Sequence, residues 1–185
     1  MPKIIALTGA KGCGKDTVAD ILLDTYIDLD IRRVAFADPI KNEVMRIFDL
    51  QTIPSYDTFK RSLVTSNNHA VNGRQVVREI GMLMRRYDVN QFVEYVDQQI
   101  NNNPEAIWVI TDLRFDNELI HLQNMGAKIV KIERPTLDVI DTHITERGFD
   151  NSVCDVVIEN KNTLNQFTQS VLQTFNKKLT EWNWL

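Results

Sequence analysis

Residues Gly9 to Thr17 read GAKGCGKDT and hold the glycine and lysine positions of the phosphate-binding pattern G-x-x-x-x-G-K-[ST]. Glycines at Gly9, Gly12 and Gly14 let the backbone take positive φ so that successive N–H groups converge, and a helix starting at Lys15 adds its positive end. Lys15 then reaches the β- and γ-phosphates of a nucleoside triphosphate. Cys13 reads as a spacer that offers its N–H, and Lys11 as a second cation for an acceptor that is itself a phosphate. Asp16 stands where the pattern has Ser or Thr, and Thr17 follows one residue late. A carboxylate is a hard oxygen ligand, so Asp16 is expected to hold or orient Mg²⁺ while Thr17 contacts a phosphate.

A second charged run, Asp112 to Glu118 (DLRFDNE), follows the apolar AIWVIT, at what reads as the carboxyl end of a buried strand. Ligands of open α/β sheets gather at that edge. Asp112 is a candidate to hold Mg²⁺ through water and Arg114 to clamp an acceptor phosphate with its planar fork, with Asn117 and Glu118 beside them. The plainer alternative is that Asp112 caps the next helix and pairs with Arg114.

Gly73 to Tyr87 (GRQVVREIGMLMRRY) separates at helical spacing into an apolar arc (Val76, Val77, Ile80, Leu83, Met84) and a basic arc of Arg74, Arg78 and Arg85. Gly81 adjoins the arginines, as if kept for close approach of another group, which makes Arg78 the candidate phosphate contact; Arg74 and Arg85 read equally well as a solvated face. Arg134 ends KIVKIER ahead of Pro135, and the polar stretch that follows, about 134–152 with His143, Glu146, Arg147 and Gly148, reads as a lid or as a plain surface connection. If the acceptor is a monophosphate, its oxygen is already ionised at neutral pH and transfer needs positioning and charge neutralisation without a base. An alcohol acceptor would favour a carboxylate, which Asp38 supplies at the end of a predicted strand.

The elements that must position these residues follow from periodicity. Strands are expected at Lys3–Thr8, Arg33–Ala37, Ala106–Thr111, Lys128–Ile132 and Val156–Ile158, with helices after the glycine loop, at Asn117–Asn124 and along the Leu164, Phe167, Val171, Phe175, Leu179 spacing. Near-continuous apolar strands alternating with helices predict an α/β fold with a mostly parallel five-stranded sheet flanked by helices. Residues 38–104 read as a helical insertion without a strand, and Thr65–Asn72 as an exposed loop. A length of 185 residues fits a single domain. A net charge of -4 gives no global attraction to nucleic acid or to an anionic membrane. Cys13 and Cys154 lack metal-ligand or disulfide spacing, and no apolar run approaches the roughly 20 residues of a membrane span, so a cytoplasmic setting is expected.

Several of these runs together resemble the bacteriophage deoxynucleoside monophosphate kinases: GAKGCGKDT with its Asp, FADPIK at Phe36–Lys41, REIG at Arg78–Gly81, DLRFDNE, and the H-x-x-E of His143–Glu146. The resemblance runs from Lys3 to about Thr163. It implies a P-loop kinase fold, a helical acceptor-binding insertion, and phosphoryl transfer from ATP to a deoxynucleoside monophosphate with Mg²⁺. It implies further that Gly12 to Thr17 cradle ATP, that Lys11, Arg78 and Arg114 meet the acceptor phosphate, that Phe36, Ala37 and Asp38 line the acceptor nucleoside site, and that Arg134 approaches ATP from the lid side. A homodimer is compatible with it. The competing readings are another P-loop small-molecule kinase, acting on dephospho-coenzyme A or shikimate, and a nucleotide-binding switch without transfer activity.

Overall fold

The computed structural model describes residues 1–66, 69–135, 148–161 and 163–185. In chain order the elements are β1 (Lys3–Thr8), α1 (Lys15–Thr25), β2 (Ile31–Val34), α2 (Asp38–Ile47), α3 (Ile53–Arg61), β3 (Leu63–Ser66), β4 (His69–Asn72), α4 (Gly73–Tyr87), α5 (Gln91–Asn102), β5 (Ile107–Ile110), α6 (Asp116–Asn124), β6 (Lys128–Glu133), β7 (Val156–Glu159) and α7 (Leu164–Glu181). They fall into two compact units, one made of Met1–Ala35 with Val96–Leu185 and the other of Phe36–Tyr95.

The first unit holds a five-stranded sheet in the order β2-β5-β1-β6-β7, parallel throughout. Buried positions run almost without a break along β1 and β5, the pattern of strands covered on both faces. Alternation sends Ile5, Leu7, Ile107, Val109, Val130, Ile132, Val156 and Ile158 to one face, where they join Val18, Ala19 and Leu22 of α1 and Phe167, Val171 and Phe175 of α7 in one core cluster. The helical spacing at the C-terminus therefore marks a packing helix, with Leu164 left exposed at its first turn. A capping box starts that helix: Thr163 Oγ1 accepts from Gln166 N, and the Gln166 side chain accepts from Thr163 N. Strand order reverses about β1, since β2 and β5 lie on one side and β6 and β7 on the other. The loop after β1 thus stands at the switch point where such sheets bind ligands.

Two expectations need correction. The second strand is Ile31–Val34, earlier than the Arg33–Ala37 read from the sequence. Among the described residues it is an edge strand paired with β5, from Ile31↔Ile107 to Val34↔Ile110, and it stops where that partner stops. The segment from 38 to 104 also contains strands: β3 and β4 form an antiparallel pair from Leu63↔Asn72 to Ser66↔His69. Four-residue strands rich in Thr, Ser and Asn carry little apolar alternation, so Thr65–Asn72 resembled a loop; Thr65, Ala70 and Asn72 are indeed exposed.

Within the second unit, α4 spans Gly73–Tyr87 as the periodicity predicts, capped by Asn72 Oδ1 accepting from Arg74 N at 2.9 Å. Its buried line runs through Gly73 and Gly81, while Leu83 of the apolar arc is 49% exposed. The close approach expected at Gly81 is made by Ile40 of α2, whose Cδ1 would lie 2.8 Å from a Cβ there. Among the described residues, no helix is long and apolar enough to cross a membrane.

Candidate active site

The glycine loop joins β1 to α1, and Gly9, Gly12 and Gly14 have φ of 133°, 76° and 112°, the left-handed region that side chains rarely adopt. Gly14 is the N-cap of α1, and the first helical bond runs from Val18 N to Gly14 O. The N–H groups of Lys15, Asp16 and Thr17 therefore precede the helix's own ladder, as an anion site at a helix N-terminus requires. Lys15 is only 7% exposed, and its Nζ donates to Gly9 O at 2.8 Å and Ala10 O at 2.9 Å. Burial pushes its ammonium below the ordinary lysine range; the charge of Arg114 pushes the same way, against Cys13 and Asp16.

Arg114 leaves the end of β5, the strand paired with β1 from Lys3↔Ile107 to Ala6↔Ile110. Leu113 N donates to Leu7 O at 3.2 Å and so ties the exit of β5 back to β1. The fully buried Glu118 turns its carboxylate onto the backbone, accepting from Arg114 N at 3.0 Å and Phe115 N at 3.1 Å. It thereby caps α6 and fixes the base of the Arg114 side chain. Asp112 and Asn117 are half-buried in the same stretch. Two cations are thus held within electrostatic reach of each other at the carboxyl ends of adjacent strands, an arrangement that an anion stabilises.

Asp16 has a partner that the sequence did not suggest. Arg33 of β2 forms ion pairs with Asp16 and, at 3.3 Å, with Asp20 one turn along α1. Arg134 is exposed and donates to Gly12 O at 3.3 Å, at the edge of the loop. Lys11 is exposed and Thr17 half-buried. The segment 136–147, with His143, Glu146 and Arg147, lies outside the described residues; where description resumes, Gly148 has φ of 68° and would bring a Cβ to 3.0 Å from Gly9 Cα. Lys11, Gly12 to Thr17, Asp112, Arg114, Asn117, Glu118 and Arg134 all belong to the first unit.

Phe36, Ala37, Asp38 and Arg78 belong to the second. Phe36 is buried, Ala37 exposed, and Asp38 opens α2 with Pro39 in the first turn. Burial pushes the Tyr56 phenol up to about 12, with Asp57 and Asp38 adding to the shift, and Tyr95 is raised by burial and by Asp38. Asp38 therefore lies near two tyrosines, and Lys60 stands 4.6 Å over the Tyr56 ring. Neither tyrosine is marked by a motif. Arg78 is half-buried on α4.

A parallel sheet reversing at β1, with a lysine-bearing glycine loop at that point and an arginine on the adjacent strand end, defines a P-loop phosphotransferase. The profile of the deoxynucleotide monophosphate kinase family matches residues 3–95 and 85–171, and the chain belongs to that family. It is 28% identical over 184 residues to a candidate deoxynucleotide monophosphate kinase of Acanthamoeba polyphaga mimivirus, covering 91% of this chain and 94% of that one. The deoxynucleotide monophosphate kinase of Enterobacteria phage T4 is 32% identical over 91 residues, which span 49% of this chain and 37% of the T4 protein. Among solved structures, dephospho-CoA kinase from Campylobacter jejuni shares the fold with a TM-score of 0.55 at 15% identity, over 99% of this chain and 100% of that one. The protein is a nucleoside monophosphate kinase, a phosphotransferase whose acceptor is a phosphate group.

Proposed function

We propose that the enzyme transfers the γ-phosphoryl group of ATP to a deoxynucleoside 5′-monophosphate, yielding ADP and a deoxynucleoside diphosphate. The observation that carries this reading is the buried ammonium of Lys15, held to Gly9 O and Ala10 O at the mouth of a glycine loop, with Arg114 on the stretch that leaves the adjacent strand β5. Lys15 and the N–H groups of the loop bind the donor phosphates, and Arg114 binds the acceptor phosphate with its planar fork. An ionised acceptor oxygen attacks the γ-phosphorus in line, the bond to the β–γ bridging oxygen breaks, and that oxygen leaves on ADP. No residue has to remove a proton. The work of the site is to align two anions and cancel their repulsion.

The oxygen donors near the loop suit Mg²⁺, which takes one or two carboxylates together with substrate phosphates and keeps several waters. Asp16 is 75% exposed and bound to a surface arginine, so its carboxylate exchanges partners at little cost, and Asp112 offers a second carboxylate at the end of β5. When bound, the ion neutralises charge on the phosphate oxygens. Asp16→Ala is expected to raise the Mg²⁺ concentration needed for half-maximal turnover several-fold; an unaltered Mg²⁺ dependence removes Asp16 from the metal site.

In the second unit, Phe36, Ala37, Asp38 and Arg78 serve the acceptor nucleotide. A panel of deoxynucleoside and ribonucleoside monophosphates, with dephospho-coenzyme A, shikimate and no acceptor as controls, tests the assignment through ADP release from ATP. Stimulation is expected from one or more deoxynucleoside monophosphates. Stimulation by dephospho-coenzyme A alone, or equal turnover without acceptor, overturns it.

A further inference from the structure

Asn160 comes just after β7, far along the chain from the glycine loop, and carries none of the family motifs. Its backbone N–H donates to Glu133 O at 2.6 Å, extending the β6–β7 ladder by one residue. Its side chain leaves the sheet: Nδ2 donates to Cys13 O at 2.9 Å, between residues 147 positions apart. The carboxamide lies against Gly14, where a Cβ would come within 2.9 Å of Asn160 Nδ2 and 3.1 Å of Phe167 Cε1. The absent side chain of Gly14 therefore makes the space that the amide fills.

A trans peptide plane points its carbonyl and the following N–H to opposite sides. Holding Cys13 O toward Asn160 turns the Gly14 N–H the other way. Two other side-chain tethers on the loop carbonyls differ in kind. Lys15 holds Gly9 O and Ala10 O through a cation that an arriving phosphate competes for, and Arg134 reaches Gly12 O from an exposed position. Asn160 is neutral, half-buried and anchored through its own backbone to a sheet strand, so its grip persists when the anion enters.

We propose that Asn160 is a positioning residue of the nucleotide loop: its carboxamide fixes the Cys13–Gly14 peptide so that the Gly14 N–H is presented to the donor triphosphate. The inference rests on the reading of the loop as the ATP site. Asn160→Asp keeps the shape and removes the donor, and Asn160→Ala removes both. Each is expected to raise the KM and Kd for ATP about 3- to 10-fold, the worth of one hydrogen bond, with kcat and the acceptor KM within about twofold of wild type.

The Gly14 amide resonance gives a second readout. On addition of ATP it is expected to move downfield in the wild type and to move much less in both variants, while ligand-free melting stays within about 2 °C. Unchanged ATP constants in both variants, or equal losses in ATP affinity and acceptor KM accompanied by a lower melting temperature, overturn the proposal and leave the ATP site standing. Absence of ATP binding by the wild type overturns the loop reading and the proposal together.

Discussion

Lys15→Met is expected to lower phosphoryl transfer by about 10²–10³-fold, the loss typical of removing one preorganised charge donor from a phosphoryl or acyl transfer site. The Lys15 ammonium is buried and bound to Gly9 O and Ala10 O, and burial holds its pKa below the ordinary lysine value. The sign of this shift fixes the thermodynamics. A folded-state pKa lowered for a lysine means that the charged form costs stability below that pKa, and the cost disappears as pH rises through it toward 10.5. Bound phosphate reverses the penalty by supplying negative charge. Methionine at position 15 accordingly removes the response to ATP while leaving ligand-free stability near wild type. Thermal melting with and without ATP separates these effects, because ligand-induced stabilisation follows the logarithm of ligand concentration over Kd. A collapse of ligand-free melting would instead mean that the lysine is a structural strut.

Arg114→Ala should reduce acceptor-dependent turnover by about 10²-fold and raise the acceptor KM, with ATP affinity by titration held near wild type. The argument is geometric. Glu118 pins the backbone of residues 114 and 115, so the guanidinium is projected from a rigid base at the end of β5. Removing it also removes a like charge from the vicinity of Lys15, which moves the lysine's pKa back toward its ordinary value and does not weaken ATP binding. Arg114→Lys is expected to recover only part of the loss, since an ammonium lacks the fork that meets two phosphate oxygens at once. A defect confined to ATP affinity would reassign Arg114 to the donor side.

The distribution of legible and illegible features has physical causes. The glycine loop was legible because positive φ and anion binding admit few residue types, and GAKGCGKDT declares both. The buried strands β1 and β5 were legible from unbroken apolar runs, β6 and β7 from the shorter apolar stretches within KIVKIE and VVIE, and α4 and α7 from their spacing. The edge strand β2 slipped because its end is set by β5, a partner distant in sequence. The β3–β4 ribbon was missed because its short polar strands bury too little to pattern. Around the site, Arg33 and Asn160 act through contacts across 17 and 147 residues, which no local spacing encodes. Asn160 sits in no motif, since Asn160 and Lys161 are followed by Asn and Thr and complete no N-K-x-D run. The sequence places Glu118 among the charged residues of the ligand edge, and its bonds to Arg114 N and Phe115 N show it organising the turn that carries Arg114.

The decisive experiment follows the phosphorus atom itself. With ATP labelled at the γ-position, Mg²⁺ and each deoxynucleoside monophosphate in turn, label is predicted to appear as the β-phosphate of the deoxynucleoside diphosphate, in equal amount to the ADP formed. Label released only as inorganic phosphate, at a rate indifferent to the acceptor, would contradict the assignment and leave a nucleotide-hydrolysing protein in its place.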